Sequence, residues 1–386
     1  MIKYSVMKLI AKTLYGLENV LAEELKSIGA IETELANRAV IFNGDKNLLY
    51  RVNYCSRTAL SVLVQVADFR IRSKEDLLKG GMRIDWDQIM DPDDTFSVVP
   101  VVNSSLFSHT GYAALILKDS IADFFRKKTG RRPSVDTKDP RILINLHISN
   151  DRVTVSIDSS VVPLFKRGYR KELAAAPLNE VLAAGILKLS GWTSNTSLTD
   201  PMCGSGTIPI EAGMIACKIP AGKFRSFFGF QRWKDFDENL FNEIRTECDS
   251  QITEPLVKIY GSDISSVAVK QTIANIESAG LKNIISVKEE DFRNLKKTDD
   301  DGFVFLNPPY GERLQPDDID EVYSMIGTTL KHNFTGNTAW LISSNKESLK
   351  KIGLKHKEKQ TLFNGALECV LLKFEMYQGS KKTGNS

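Results

Sequence analysis

From residue 177 onward the chain alternates strand-like and helix-like segments, and this alternation limits the possible fold more than any other feature. "PLNEVLAAGILKLSGW" sets Pro177 at a helix start and puts Leu178, Val181, Leu182, Ile186 and Leu189 on one helical face. "SLTDPMC" reads as a strand ahead of a helix from Thr207, and "VKIYGSDIS" as a strand ahead of a helix carrying Val269, Ile273 and Ile276. "ISVKEEDF", "GFVFLNPPYG", "TAWLISSN" and "ALECVLLKFEMY" supply further strands. Short apolar strands separated by helices predict an α/β fold with a doubly wound, mixed but mostly parallel sheet, whose ligands sit at the carboxyl ends of the strands.

The front of the chain has a different rhythm. "MKLIAKT" reads as a strand, and "GLENVLAEELKSIGA" as a helix with Leu17, Val20, Leu21, Leu25 and Ile28 on one face, stopped by Gly29. "RAVIFNG", a short helix from Asp45 and "TALSVLVQVADF" complete a small α+β module over residues 1–70. Residues 71–160 read as helix, strand "TFSVVPVVN", helix, and two strands "RILINLHIS" and "RVTVSIDSS" joined by a turn at Asn150-Asp151. A linker over 161–176 precedes the third domain, 177–378, and the closing "GSKKTGNS", 379–386, is expected to be a disordered tail. Within the third domain, roughly 218 to 256 reads as an insertion.

Charge is uneven along this plan. Residues 1–171 hold 26 Lys+Arg against 20 Asp+Glu, and the remainder holds 25 against 28, for a net +3. The excess is concentrated in "RKKTGRRPSVDTKDPR", where seven cations meet two Asp, and in "KRGYRK", with four. Either run is a solvated surface or a phosphate-contacting patch. Arg131, Arg132, Lys166, Arg167, Arg170 and Lys171 are the candidate phosphate contacts, which the resemblance described below makes RNA contacts, with Arg170 alternatively pairing with an acid at the domain junction. Five scattered cysteines without a CxxC spacing suggest neither a disulfide framework nor a zinc site, so no metal is expected. No apolar stretch is long enough to span a membrane, and the N-terminus lacks the apolar centre of a signal peptide, so a cytoplasmic protein is expected.

Four strand ends carry chemistry. In "DPMCGSGT", Gly204 and Gly206 allow a sharp turn and close approach of a ligand to the backbone, with Thr207 placed to cap the following helix. A strand-to-helix connection would use the same glycines. Asp263 ends the next strand, where a carboxylate can accept both ribose hydroxyls. The insertion between these two sites departs from a dinucleotide fold, and no Walker-type lysine follows the glycines. Asp291 is either a turn residue or an acceptor for an amino group, and Phe292 either a core ring or a surface for a purine.

The fourth strand ends in Asn307-Pro308-Pro309-Tyr310. Two prolines terminate the ladder and stiffen the loop. The Asn307 oxygen and the Pro308 carbonyl can accept both hydrogens of a planar NH2 group, and Tyr310 can stack on a heterocycle. Such acceptors favour a pyramidal amine and the positive charge that grows on it during methyl transfer.

With these residues in view, "DPMCGSGT" and "NPPYGERL" resemble the S-adenosylmethionine-dependent amino-methyltransferases. Residues 70–160 followed by "KRGYRKELAAAPLNE", together with "IPAGKFRSFFGFQRW", resemble a THUMP domain joined to the catalytic domain of the RlmL-type guanine-N2 methyltransferases of bacterial large-subunit rRNA, with a ferredoxin-like module in front. The resemblance covers nearly the whole chain. It implies a Rossmann-like class I methyltransferase domain and S-adenosyl-L-methionine as cofactor. The cofactor would be held by Asp200, Met202, Cys203, Gly204, Gly206, Thr207, Asp263, Ile264, Asp291, Phe292 and Asn307. Asn307, Pro308, Pro309 and Tyr310 would hold the target amine, in 23S rRNA. Family enzymes can carry a second methyltransferase domain after the first; a chain of 386 residues leads to the expectation of the guanine-N2 activity alone. A tRNA substrate, a non-catalytic RNA-binding assembly factor and a DNA adenine methyltransferase are the alternatives. The last needs a target-recognition segment for which residues 311–386 leave no room.

Overall fold

The computed structural model of the chain describes residues 6–171, 177–255, 257–299, 301–309 and 316–377. Tyr310, part of the expected linker and the expected tail lie outside them. Two units emerge: one comprises Met1–Thr13, Ala22–Lys166 and Arg225–Glu247, the other Leu14–Leu21, Arg167–Phe224 and Cys248–Ser386.

In the first unit the chain runs β1 (Met7–Lys12), α1 (Glu18–Ile28), β2 (Ile31–Ala36), β3 (Ala39–Gly44), α2 (Lys46–Cys55), β4 (Ser61–Arg70), α3 (Lys74–Met82), α4 (Trp86–Ile89), β5 (Thr95–Asn103), α5 (Thr110–Thr129), β6 (Ser134–Val135), β7 (Ile142–Ser149) and β8 (Arg152–Asp158). All eight strands join one sheet in the order β2-β3-β1-β4-β8-β7-β5-β6. The ten-residue β4 makes this continuous, because its start pairs with β1 and most of its length pairs with β8. Periodicity suggests separate modules before and after residue 70, yet hydrogen bonding runs across them. Trp86, Phe96, Leu117, Ile121, Phe125 and Ile144 belong to a dry core shared by this sheet and its helices.

Residues 225–247, read from sequence as part of an insertion in the third domain, belong to the first unit. Phe228, Phe230 and Phe241 are buried there. Phe230 stacks on Tyr50 of α2 with ring centroids 4.3 Å apart, and Tyr54 meets Phe228 and Phe241 edge-on. The aromatic density was visible in "FRSFFGF"; the partners, some 180 residues earlier, were not.

The second unit contains α6 (Glu180–Leu189), β9 (Leu198–Asp200), α7 (Thr207–Ala216), β10 (Ile259–Asp263), α9 (Ser266–Ser278), β11 (Ile285–Glu289), β12 (Phe303–Leu306), α10 (Pro316–Asn333), β13 (Thr338–Ser343), β14 (Glu358–Asn364) and β15 (Leu367–Glu375); α8 (Glu238–Ser250) lies between α7 and β10 in sequence. The sheet order is β11-β10-β9-β12-β13-β15-β14. β11, β10, β9, β12 and β13 are parallel neighbours, and β15 pairs antiparallel with both β13 and β14. This is the mixed, mostly parallel sheet expected from the alternation of strands and helices. Successive strands step outward from β9 to β10 and β11, then return to its other side with β12 and β13. The reversal opens a crevice at the strand ends between β9 and β12.

Apart from the two-residue β6, too short to show a pattern, two strands escaped the sequence reading, β2 ("IETELA") and β14 ("EKQTLFN"). Both are edge strands, where charge on exposed positions discourages pairing with other chains and erases the apolar alternation. Among the described residues no helix is long and apolar enough to cross a membrane, and no group of three or more His, Cys, Asp or Glu could hold a metal ion.

Helix α10 packs against the single turn Ser348–Ile352, and Gly327 lies at the contact. A Cβ at this position would overlap the Ile352 carbonyl, a backbone atom that cannot rotate away. Gly327→Ala is therefore expected to lose about 1–3 kcal/mol of stability by overpacking, read as a lowered Tm of the second unit.

Candidate active site

A cleft of about 930 Å³ opens over the carboxyl ends of β9, β10, β11 and β12. Its size falls within the range of small-molecule and cofactor sites, ~300–1,000 Å³. Asp200, Met202, Cys203, Gly204, Thr207, Asp263, Ile264, Asp291, Phe292, Asn307, Pro308 and Pro309 all line it. Segments more than 100 residues apart in sequence converge because the parallel strands that carry them are neighbours.

The glycine turn is built by hydrogen bonds from three elements. Gly204 and Gly206 have φ of +55° and +84°, a region that side chains disfavour. The Gly204 N–H donates to Asp263 Oδ2 at 2.9 Å, and the Ser265 N–H donates to Oδ1 at 2.9 Å. From α9, Thr272 Oγ1 donates to the Gly204 carbonyl at 2.6 Å and Asn275 Nδ2 to the Ser205 carbonyl at 3.1 Å. No heavy atom lies within 4 Å of where a Cβ on Gly204 would stand, so the backbone borders open cleft there; a Cβ on Gly206 would strike Thr272. Gly206 itself is the N-cap of α7 and Thr207 the first helical residue, which displaces Thr207 from the capping role expected of it. The Thr207 hydroxyl instead accepts from Arg170 Nη2 at 2.6 Å.

Burial sets the protonation of two groups. Asp200 is enclosed, and desolvation pushes its carboxyl up to about 8, reinforced by the Asp263 charge and opposed by the Met202 N–H that donates to Oδ1 at 3.2 Å. Desolvation also pushes the Cys203 thiol up, so it stays protonated and is no nucleophile.

Along the rim, Ile264 is 69% exposed and presents apolar surface to the cleft. Asp291 caps a single helical turn, accepts from the Arg293 N–H at 2.8 Å and pairs with the Arg293 guanidinium, which holds its carboxyl below the usual range. Phe292 is 3% exposed and packs on Phe334 with centroids 5.5 Å apart, so its ring belongs to the core even though it contributes to the cleft wall.

At the end of β12, Asn307 Oδ1 is buried and has no hydrogen-bond partner among the described residues. Leaving such an acceptor unsatisfied costs about 1–3 kcal/mol, so this oxygen in the cleft is available to a donor that the described residues do not supply. Pro308 is buried beside it and Pro309 exposed.

The predicted cations divide. Arg131, Arg132, Lys166 and Lys171 are exposed, with Arg131 paired to Asp93. Arg167 is not a surface cation. Its side chain is 1% exposed and its Nε donates to Glu211 Oε1 at 3.2 Å, with Glu211 at 0%. Two buried opposite charges satisfy each other where a lone one would be untenable. Arg170 is also withdrawn from solvent, 12% exposed, and binds Glu180, Ser205 and Thr207. The acid partner foreseen for it is Glu180. Nothing local in the sequence separates these two arginines from their exposed neighbours; only Glu180 and Glu211, each the one acid on a mostly apolar helix, hinted at buried countercharges.

The profile of the methyltransferase domain described as RMKL-like matches residues 167–373, more than half of the chain. The chain belongs to that family. THUMP and RlmL ferredoxin-like profiles match residues 72–158 and 8–63. A Synechocystis protein, slr0064, named as a candidate RNA methyltransferase, is 36% identical over 94% of this chain and 95% of its own length. "Ribosomal RNA large subunit methyltransferase K/L" of Methylococcus capsulatus is 37% identical, and again 94% of this chain is covered. The chain spans about half the length of that relative. Among solved structures, SMU.472, a candidate methyltransferase crystallised with SAH, has a TM-score of 0.87 and 29% identity over 98% of this chain and 100% of its own.

The methyl donor of this methyltransferase family is S-adenosylmethionine, and the cleft fits it. The left-handed glycine turn admits close backbone approach, Asp263 offers a carboxylate at a strand end, and Ile264 gives an apolar wall.

Asp200 makes stability depend on pH. Its folded value of about 8 exceeds the ordinary 3.8, so between those values the folded chain keeps a proton that the unfolded chain releases. Stability from this group is greatest below about pH 4 and declines as pH rises through the folded value, levelling off above it. Unfolding in denaturant at pH 5, 6.5 and 8 should therefore show Asp200→Asn gaining stability relative to the unaltered chain as pH rises. A constant difference would mean Asp200 is ionised in the fold.

Proposed function

We propose that this chain methylates the exocyclic N2 of a guanine in 23S-type large-subunit rRNA, using S-adenosylmethionine. The observation that carries the reading is the buried Asn307 oxygen, unpartnered among the described residues, in the same cleft as the glycine turn. Supporting the substrate class are the THUMP match and the rRNA large-subunit names of relatives at 36–37% identity. An rRNA substrate would place the enzyme in the cytoplasm.

Bound S-adenosylmethionine supplies a methyl group already activated by its sulfonium. The chain's task is then to prepare the amine. A guanine N2 lone pair is delocalised into the ring. Asn307 Oδ1 and the Pro308 carbonyl each accept one of its hydrogens, which draws the nitrogen toward pyramidal geometry and stabilises the charge developing on it. Transfer would exchange the sulfonium S–C bond for an N–C bond and leave the amine cationic, so its proton would pass to water and the chain need supply no strong base. Pro308 and Pro309 hold the acceptors fixed, which limits reorganisation. Tyr310 is proposed as the stacking ring, at ~1–3 kcal/mol per base, offsetting much of the cost of unstacking the target nucleotide. Glycine-turn residues, Asp200, Met202, Cys203, Asp263, Ile264, Asp291 and Phe292 are assigned to the donor. Arg131, Arg132, Lys166 and Lys171 are assigned to phosphates, as positioning contacts without sequence information.

Asn307→Ala should lower kcat by roughly 10²–10³, the loss typical of a single transition-state acceptor or donor, while affinity for RNA stays near that of the unaltered chain. Methylation at the parental rate would remove Asn307 from the mechanism. Mass spectrometry of rRNA and tRNA fragments from cells with and without the gene tests the substrate: loss of one N2-methylguanine from 23S rRNA is expected, and loss from tRNA alone would overturn the rRNA assignment.

A further inference from the structure

Arg170 follows the basic run "KRGY" and reads from sequence either as a phosphate-facing cation or as the partner of an acid; its guanidinium is spent inside the second unit. Nε faces Glu180, the first residue of α6. Nη1 donates to Ser205 Oγ at 3.0 Å and Nη2 to Thr207 Oγ1 at 2.6 Å. Those hydroxyls lie on either side of Gly206, whose left-handed φ turns the chain from the strand end into α7. The guanidinium therefore spans the bend itself.

A second anchor comes from the adjacent residue. The Lys171 N–H donates to Asn275 Oδ1 at 3.0 Å, and Asn275 Nδ2 donates on to the Ser205 carbonyl at 3.1 Å. Residues 170 and 171 thus grip Ser205 through its hydroxyl directly and through its carbonyl by way of α9. Asp263 and Thr272 hold Gly204 by its N–H and its carbonyl.

We propose that Arg170 is a positioning residue for the methyl-donor site, fixing the Ser205–Thr207 bend so that the glycine turn is preorganised before the donor binds. A planar fork suits the task because one rigid group reaches a carboxylate and two hydroxyls at once. Lysine ends in one nitrogen, so it could keep Glu180 company but could not reproduce the separate Nη1 and Nη2 contacts to the two hydroxyls. Preorganisation predicts that the cost of losing the fork falls on donor affinity, since a loosened turn must be ordered at binding.

This inference rests on the cleft being the S-adenosylmethionine site, and calorimetry separates the two claims. Titrating the full chain with S-adenosylmethionine and with S-adenosylhomocysteine, Arg170→Met and Arg170→Lys should each raise Kd by roughly tenfold or more. KM for the donor should rise by more than kcat falls, and KM for RNA should be unaffected. Thr207→Val, alone and combined with Arg170→Met, should give losses that are not additive. A purely structural arginine would lower Tm and leave Kd of the folded protein intact. Folded Arg170→Met or Arg170→Lys with donor Kd within twofold of the unaltered chain would overturn the proposal. If neither folds, Ser205→Ala with Thr207→Val removes the same two acceptors, and an unchanged Kd there overturns it equally. Failure of the unaltered chain to bind the donor would instead bring down the cofactor assignment and this inference with it.

Discussion

One carboxylate holds the site together. Asp263 stands at the end of β10 and accepts an N–H from Gly204, at the end of the neighbouring β9. Through its other oxygen it accepts from Ser265 and so fixes the start of α9 as well. That helix returns two side chains, Thr272 and Asn275, to the same glycine turn. The turn is closed on itself by a network whose members come from two strands, a helix and the segment at Arg170, so its left-handed glycines are not free to relax. A shared network of this kind is worth more than its separate bonds.

The buried charges have the same logic on a larger scale. Arg167 with Glu211 and Arg170 with Glu180 place two pairs of opposite charge beneath the site. Such pairs contribute little net stability over apolar residues of the same shape, but losing one partner leaves the other stranded, at about 3–5 kcal/mol. Their benefit is directional: each fixes where a guanidinium points. Desolvation acts in the same region on Asp200 and Cys203, keeping both protonated at values where exposed counterparts would titrate. The cleft wall thereby carries less negative charge than its composition suggests.

Chemistry in this fold is arranged by sheet order. The glycine turn follows β9 and Asn307 follows β12, and those strands are neighbours although 100 residues lie between them. On the proposed reading, a donor held at the first and an amine held at the second would meet across the topological switch.

Strand-helix alternation, the glycine turn, Asp263 and the Asn-Pro-Pro sequence were all legible in the chain, because each is a local signal: apolar periodicity, φ tolerance, loss of a backbone donor. The edge strands β2 and β14 were not, since exposure removes the alternation that marks a strand. Nor was the return of residues 225–247 to the first unit, where Phe230 finds Tyr50, or the single sheet that runs through residues 7–158. Arg167 shows the limit most plainly. Its neighbours in sequence are exposed cations, and what withdraws it from solvent is Glu211, 44 positions away on α7. Local sequence determined which segments are strands and which turns can bend; only the tertiary structure decided which charges are buried, because burial depends on partners that the chain brings together after folding.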